Sequence, residues 1–421
     1  MTEITARTIE KAVIVGLNAA SMNAREHSTD ETLDELEALL ETAGGLCVGK
    51  VIQNRHTPDP RTFIGDGKTQ EVRALLEAEE ATLCVFDNEL SPSQTRVLSG
   101  DLGVRVIDRS TLILDIFADR ASTREGRLQV ELAQYKYLLP RLTGMWGHLV
   151  RQTGTSAPIG TRGPGETQLE TDRRHIRRKI QKLEEELEDV MKVRSTARRQ
   201  RLRNEIPVVA LVGYTNAGKS TLFNRLTNAG IHANDRLFDT LDTTTRRAAV
   251  NESSDALFSD TVGFIRKLPH HLVDAFRATL EELKYADLIL HVIDASAPQW
   301  QEQMTVTDEL ISQLGAAETP RIEVFNKCDL SSADIRPHGE SIVGISAVTG
   351  VGIDELLSKI ETALGLGVHR VTLGIPYAKS ALVDELYRYG FVTGVAYLDE
   401  LTQVSASLDA RALEKYREFI V

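Results

Sequence analysis

Residues 206–220, IPVVALVGYTNAGKS, hold a short apolar run, a turn bounded by glycines, and a Lys-Ser pair that opens the amphipathic stretch 221–226. Gly213, Tyr214, Thr215, Asn216, Ala217, Gly218, Lys219 and Ser220 fit G-x-x-x-x-G-K-[ST]. A strand before the pattern and a helix after it are the context in which it carries its mechanism. The glycines let backbone N–H groups curl around phosphate, and the helix N-terminus adds its dipole. Lys219 neutralises charge on the β- and γ-phosphates, and the Ser220 hydroxyl ligates Mg2+. A glycine-rich turn that holds no ligand is the bland alternative, and the strand-helix context argues against it.

Further along the chain, the other parts of a guanine-nucleotide site arrive in order. Asp260, Thr261, Val262 and Gly263 form D-x-x-G just after the apolar run 256–258. There the carboxylate can hold Mg2+ through water and the Gly263 N–H can sense a γ-phosphate. Asn326, Lys327, Cys328 and Asp329 follow the apolar run 322–325. Asp329 can accept both N–H donors on the guanine edge, a donor pair that adenine lacks, which selects GTP over ATP. Ser346, Ala347 and Val348 follow the run 342–345 and would close over the base. Each tetrapeptide is weak alone, whereas the ordered set is specific.

Between the phosphate loop and D-x-x-G lies Phe238, Asp239, Thr240, Leu241, Asp242, Thr243, Thr244, Thr245, a Thr-rich stretch suited to a switch loop over Mg2+ and the γ-phosphate. Thr240 is the expected Mg2+ ligand beside Ser220; on the residues alone Thr243 to Thr245 compete for that role, or simply enter a strand. Lys219, Thr240 and Gly263 are the residues expected to act on the transferred phosphate. Phe264 stands where many small GTPases place a water-orienting glutamine, so hydrolysis by the isolated protein should be slow. Asn216 with switch-loop carbonyls is a candidate holder of K+ in place of an arginine finger; an ordinary phosphate-loop residue is the alternative.

Working outward, the chain of 421 residues divides by roughly 150 per domain into about three domains, and motif placement makes four segments. The first, 1–122, alternates β-rich runs (12–17, 47–52, 83–86, 104–107) with amphipathic stretches, a parallel α/β pattern. In the second, 123–205, Leu128, Leu132, Tyr135, Leu139 and Leu142 step by four and three, as do Ile176, Ile180, Leu183, Leu187 and Val190. Two long helices are expected, forming an antiparallel hairpin tipped by the Gly- and Pro-rich loop 153–170. The third, 206–367, is the P-loop α/β domain, and the fourth, 368–421, reads strand, helix, strand, strand, helix, a small α+β domain. The expected fold class is therefore α/β: a P-loop GTPase domain with an N-terminal parallel α/β domain, a helical hairpin and a small cap.

Lys and Arg number 49 against 61 Asp and Glu, a net charge of −12. Any nucleic-acid contact must then come from local basic patches, and an indiscriminate DNA packer is excluded. Such patches exist: Arg173, Arg174, Arg177, Arg178, Lys179 and Lys182 follow the loop, and Arg194, Arg198, Arg199, Arg201 and Arg203 precede the P-loop domain. RNA contact and a solvated helix face laced by intrahelical pairs are both open readings. Cys47, Cys84 and Cys328 are scattered without a C-x-x-C pair, which argues against disulfides and structural zinc and for a reducing cytoplasm. The N-terminal apolar run is too short for a signal core, and the longest apolar runs are strand-sized, so no membrane span is expected. Gly65 to Lys68 is too short to signal a second phosphate loop.

These residues resemble the HflX family of ribosome-associated, translation-factor-class GTPases. The resemblance rests on GYTNAGKSTLFNRLT from Gly213, LFDTLDTTTR from Leu237 and DTVGFIRKLPHHLVDAF from Asp260. Outside that domain it rests on IGTRGPGETQLETDRR from Ile159, DRSTLILDIFADRASTREGRLQVELAQYKYLLPRL from Asp108 and NELSPSQ from Asn88. It covers nearly the whole chain, weakening before about residue 45 and in the cap. It implies a binder of the large ribosomal subunit whose N-terminal and helical regions reach the area near the peptidyl transferase centre, and some members separate subunits under stress; GTP/GDP, Mg2+ and, from the basic clusters, rRNA contacts through 151–205 are the expected partners, with a monomer expected and a dimer left open. It places phosphate and Mg2+ binding on Gly213 to Ser220, the switch on Phe238 to Asp242, the γ-phosphate sensor on Asp260 to Gly263, and base recognition on Asn326 to Asp329 and Ser346 to Val348. Asp239 and Thr243 depart from the Ala and Pro of the family pattern, and TGTSAP upstream of Ile159 is less glycine-rich than usual. The competing reading is a nucleotide-gated scaffold whose hairpin docks a protein or membrane partner. Coupling to RNA modification lacks any modification domain.

Overall fold

The computed structural model describes residues 9–23, 26–145, 164–203, 206–228, 237–238, 243–251, 254–268, 272, 281–330, 338–366, 369–389, 391–398, 400–408, 413 and 415–421. Chain contacts divide the molecule into two units. One holds Met1–Arg203 with Ala233–Thr243 and Thr261–Glu281, and the other holds Asn204–His232, Thr244–Asp260 and Glu282–Val421. The chain thus passes from one unit to the other within D-x-x-G, between Asp260 and Thr261.

In the first unit, β1 (Lys11–Ala19), β2 (Leu46–Arg55), β3 (Leu83–Phe86) and β4 (Arg105–Asp108) form a parallel sheet in the order β2-β1-β3-β4. Helices α1 (Asp30–Thr42), α2 (Asp66–Ala78), α3 (Pro92–Leu102) and α4 (Arg109–Arg120) alternate with these strands. Their starts are chemically specified. Thr29 and Thr32 form a capping box on α1, Ser91 and Gln94 form one on α3 with Pro92 in its first turn, and Asp108 caps α4 through the Thr111 N–H. The core gathers residues of the apolar runs read from the sequence, Val13, Val15, Leu17, Cys84 and Phe86 among them, together with Leu98 of α3.

The expected hairpin is formed by α5 (Arg124–Met145) and α6 (Pro164–Arg203). Leu128, Leu132, Leu183 and Leu187 make its buried seam, flanked by Tyr135, Ile180 and Val190. One expectation is corrected: α6 begins at Pro164, inside the stretch 153–170 read as loop. Proline without its N–H is well suited to a first helical position. The rest of that loop lies outside the described residues.

In the second unit the sheet order is β10-β11-β9-β8-β5-β7-β6, with β5 (Val208–Gly213), β7 (Asp255–Asp260), β8 (Leu288–Asp294), β9 (Arg321–Asn326) and β11 (Ile342–Gly344) parallel. The edge strands β6 (Thr244–Ala249) and β10 (His338–Gly339) run antiparallel to their neighbours. Helices α7 (Lys219–Thr227), α8 (Trp300–Gln313) and α9 (Ile353–Ala363) complete this α/β domain. A separate core around Leu373, Ile375, Leu386 and Val404 holds the C-terminal segment, where β12 (His369–Pro376), β14 (Leu401–Leu408) and β13 (Phe391–Tyr397) form an antiparallel sheet with α10 (Ala381–Tyr389). In the last expected helix, Leu413 and Lys415 are helical among the described residues, and a 3-10 turn, Arg417–Phe419, follows them.

Candidate functional site

The turn between β5 and α7 is shaped by what cannot fit there. A Cβ on Gly213 would lie 2.1 Å from the Val292 carbonyl oxygen, and one on Gly218 would lie 2.2 Å from Asn326 Nδ2 at φ +89. Only glycine allows that approach and that left-handed backbone. Asn216 also takes φ 59, a conformation Asn tolerates better than most residues. The result is a backbone cradle at the carboxyl edge of β5, at the start of a helix.

Lys219 lies inside this cradle, 5% exposed, with Nζ donating to the Gly213 carbonyl at 3.1 Å and the Tyr214 carbonyl at 2.8 Å. Burial brings its ammonium down to about 8, against the opposing pull of Asp260. A cation desolvated in this way gains most from an anionic ligand. Ser220 Oγ donates to Asp260 Oδ2 at 2.8 Å, so a hydroxyl and a carboxylate converge from the P-loop helix and from D-x-x-G. Those hard oxygen donors suit Mg2+, which takes one or two protein oxygens together with phosphate and water. Among the described residues, no cluster of three or more His, Cys, Asp or Glu offers an all-protein metal cage.

The base-side residues are tied to the same cradle. Asn326 is buried; its Nδ2 donates to the Ala217 carbonyl at 2.9 Å and its Oδ1 accepts from the Ala347 N–H at 2.9 Å. One side chain therefore locks the phosphate loop to the 346–348 segment. Lys327, at φ 62, pairs with Asp294 at 2.7 Å, while Asp329 is exposed and Ser346 is buried. Arg225 of α7 donates to the carbonyls of Ala347 at 3.3 Å and Val348 at 2.7 Å, with the Val348 side chain exposed.

The remaining expected residues are only partly placed. Asp239, Thr240, Leu241 and Asp242 lie outside the described residues. Thr244 and Thr245 enter β6, and the Thr245 hydroxyl donates to Ser259 Oγ at 3.3 Å, so the strand reading holds for them. Phe238, Thr261, Val262 and Phe264 are all buried; Phe238 and Thr261 to Phe264 lie in the first unit. Phe238 adopts φ 55, and its ring meets the Phe117 ring edge-on at 4.7 Å. For a bulky residue that backbone costs about 1–2 kcal/mol.

The motifs do not reveal a buried polar cluster in the first unit. Asp87, fully buried just after β3, accepts from Arg109 at 2.8 Å, Ser28 at 2.7 Å and Thr32 at 2.9 Å, and pairs with Lys267. Arg109 also pairs with Glu35. Asp87 directly precedes the NELSPSQ stretch, but its partners lie up to 180 positions away, and no local pattern signals them. On the hairpin, Lys179 is engaged by Glu131 at 2.9 Å and Tyr135 at 2.6 Å, and Lys182 is 3.8 Å from Glu186. Arg174, Arg177, Arg178 and Lys182 are exposed; Arg174 lies 3.8 Å from Glu170, one turn before it on the same helix. The side chains of Arg194, Arg198, Arg199, Arg201 and Arg203 fall outside the described residues.

Comparison with known proteins accounts for most of the chain. Family models described as GTP-binding GTPase N-terminal, GTP-binding GTPase Middle Region and 50S ribosome-binding GTPase match residues 30–118, 120–201 and 208–327. GTPase HflX of Caldanaerobacter subterraneus subsp. tengcongensis is 45% identical over 100% of this chain and 96% of its own. GTPase HflX of Lacrimispora saccharolytica is 47% identical over 96% of each chain, and that of Escherichia coli K12 is 45% identical over 85% of each. Among solved structures, a GTP-binding protein from the archaeon Sulfolobus solfataricus in complex with GDP is 25% identical, with a TM-score of 0.44, over 85% of this chain and 99% of that one.

Proposed function

Because this chain belongs to the HflX family of GTPases, we propose that its hydrolysis of GTP is gated by the large ribosomal subunit and serves ribosome splitting, rescue or biogenesis under stress. Phe264 carries the reading. It is 1% exposed and sits directly after Gly263, where a polar side chain would have to orient the attacking water. A buried phenyl ring cannot do so. The site then needs a group from outside, and a ribosome-binding GTPase model matching 208–327 points to its source.

In this reading Lys219 exchanges its two loop carbonyls for β- and γ-phosphate oxygens, Asn326 keeps the loop shaped, and Asp329 accepts from the guanine edge. Ser220 and Thr240 would hold Mg2+ with the Asp260 carboxylate beside them, and the ion would supply neutralisation of phosphate charge. Asn216 is the proposed K+ holder, and equal turnover in K+ and Na+ would remove that role. Arg177 and Arg178, with Arg162 in the glycine loop, are the proposed rRNA contacts, since close backbone approach and guanidinium groups suit folded RNA. The protein acts as a monomer in the cytoplasm, and among the described residues no helix is long and apolar enough to cross a membrane.

Co-sedimentation with isolated large subunits tests the reading. Wild type with a non-hydrolysable GTP analogue should pellet with the subunits, and the double variant Arg177→Glu, Arg178→Glu should stay in the supernatant at 0.15 M salt. Pelleting unchanged by the charge reversal removes these arginines from the interface; no pelleting of wild type in any nucleotide state removes the ribosome.

A further inference from the structure

The N-terminal sheet has a feature that nucleotide-binding α/β sheets use for ligands. Its order is β2-β1-β3-β4, so successive strands are laid on opposite sides of β1 and the order reverses between β1 and β3. Open parallel sheets bind ligands in the crevice at the carboxyl ends of the strands at such a point. Here the crevice is lined by the chain's own polar groups: Asn88 Oδ1 accepts from the Leu17 N–H at 3.0 Å and from Ser28 Oγ at 3.0 Å, and Asp87 points in from the end of β3. The cation received there is Lys267, with a side chain 11% exposed against a fully buried Asp87.

Lys267 lies four residues beyond Gly263, in the segment Thr261–Glu281 that belongs to the N-terminal unit. Its backbone is left-handed, φ 53, a conformation a lysine keeps only when its surroundings over-determine it. Burial lowers its pKa and Asp87 opposes that shift, while Arg109 lies close enough to repel. Asp87, and more weakly the Glu26 carboxylate, favour its charged form. Phe238 repeats the design in the other switch segment, left-handed at φ 55 and packed on Phe117 of α4.

We propose that Lys267 is a positioning residue for GTP hydrolysis: its ammonium occupies the switch-point crevice of the N-terminal sheet as an internal ligand, and so fixes the segment carrying Gly263 on that domain. Phe238 on Phe117 is the apolar counterpart for the Thr-rich switch. Gly263 and Lys267 belong to the same unit, whereas the phosphate loop and the base motif belong to the other. The positioning role rests on the GTPase activity of the family and not on ribosome coupling.

The test is Lys267→Met in the full chain, assayed without ribosomes. Asp87 keeps Arg109, Ser28 and Thr32 as donors, so the fold should survive, with circular dichroism as the check. Intrinsic kcat should fall on the order of tenfold to a hundredfold, the range expected when a reacting group is misplaced by about 1 Å. Affinity for a non-hydrolysable GTP analogue should fall while GDP affinity stays within about twofold, and Lys267→Arg should restore most of both. A merely structural lysine would weaken GTP and GDP alike, and that result, or unchanged or faster turnover, overturns the proposal. Should the methionine variant not fold, Lys267→Gln carries the same expectation at smaller size and the same overturning results. Failure of ribosome gating would leave these ribosome-free ratios untouched.

Discussion

The two parallel sheets of this chain treat the same edge in opposite ways. At the carboxyl end of β5 the edge is built from glycines at positions where a side chain would collide with Val292 or Asn326, leaving backbone donors and Lys219 to face a ligand. At the carboxyl ends of β3 and β4 the edge is built from Asp87, Asn88, Asp108 and Arg109, and the chain fills the crevice itself. Asp108, for example, is used up by the Thr111 N–H, the Tyr137 hydroxyl at 2.6 Å and Arg141 at 3.1 Å. Topology supplies the crevice in both sheets, and residue size decides whether it holds a nucleotide or the protein's own side chains.

If that contrast is right, the two edges should fail differently. The largest effect belongs to the filled edge. Arg109→Met strips a 2%-exposed guanidinium from Asp87 and Glu35, and breaking a buried pair on one side costs about 3–5 kcal/mol. Denaturant unfolding should show that loss in the N-terminal unit. The open edge should instead lose its ligand without unfolding: Gly218→Ala forces a Cβ into Asn326 at φ +89, so the free loop relaxes out of the cradle and meets strain of about 3 kcal/mol only on binding; GDP affinity should drop on the order of a hundredfold with the melting transition of the nucleotide-free protein little changed. The smallest effect is one of pH. Bound phosphate raises the Lys219 pKa from its free value of about 8, so binding takes up a proton above that pH. GDP affinity should be flat below pH 8 and then fall by up to about tenfold per unit, a slope Lys219→Arg should lack.

How much of this was legible beforehand follows the range of the interactions. The strands, the two leucine stripes Leu128/Leu132 and Leu183/Leu187 that meet in the hairpin seam, and the cradle from Gly213 to Ser220 each have a pattern repeated within a few residues, and periodicity and spacing display it. Asn326 was legible as a base-side residue, but its bond to the Ala217 carbonyl, 109 positions away, was not. Lys179 reads in sequence as part of an RNA-facing basic run, yet its partners sit on the other arm of the hairpin. The Lys267–Asp87 pair has no local signature: a lysine after a switch motif looks like any surface lysine until the fold closes a crevice around it.

The central claim is that a site with Phe264 after Gly263 is completed from outside. Single-turnover GTP hydrolysis by the full chain, with and without purified large ribosomal subunits, tests it most directly. Slow hydrolysis alone and a rise of at least about tenfold with saturating large subunits is the predicted result; the same rate in both would contradict it.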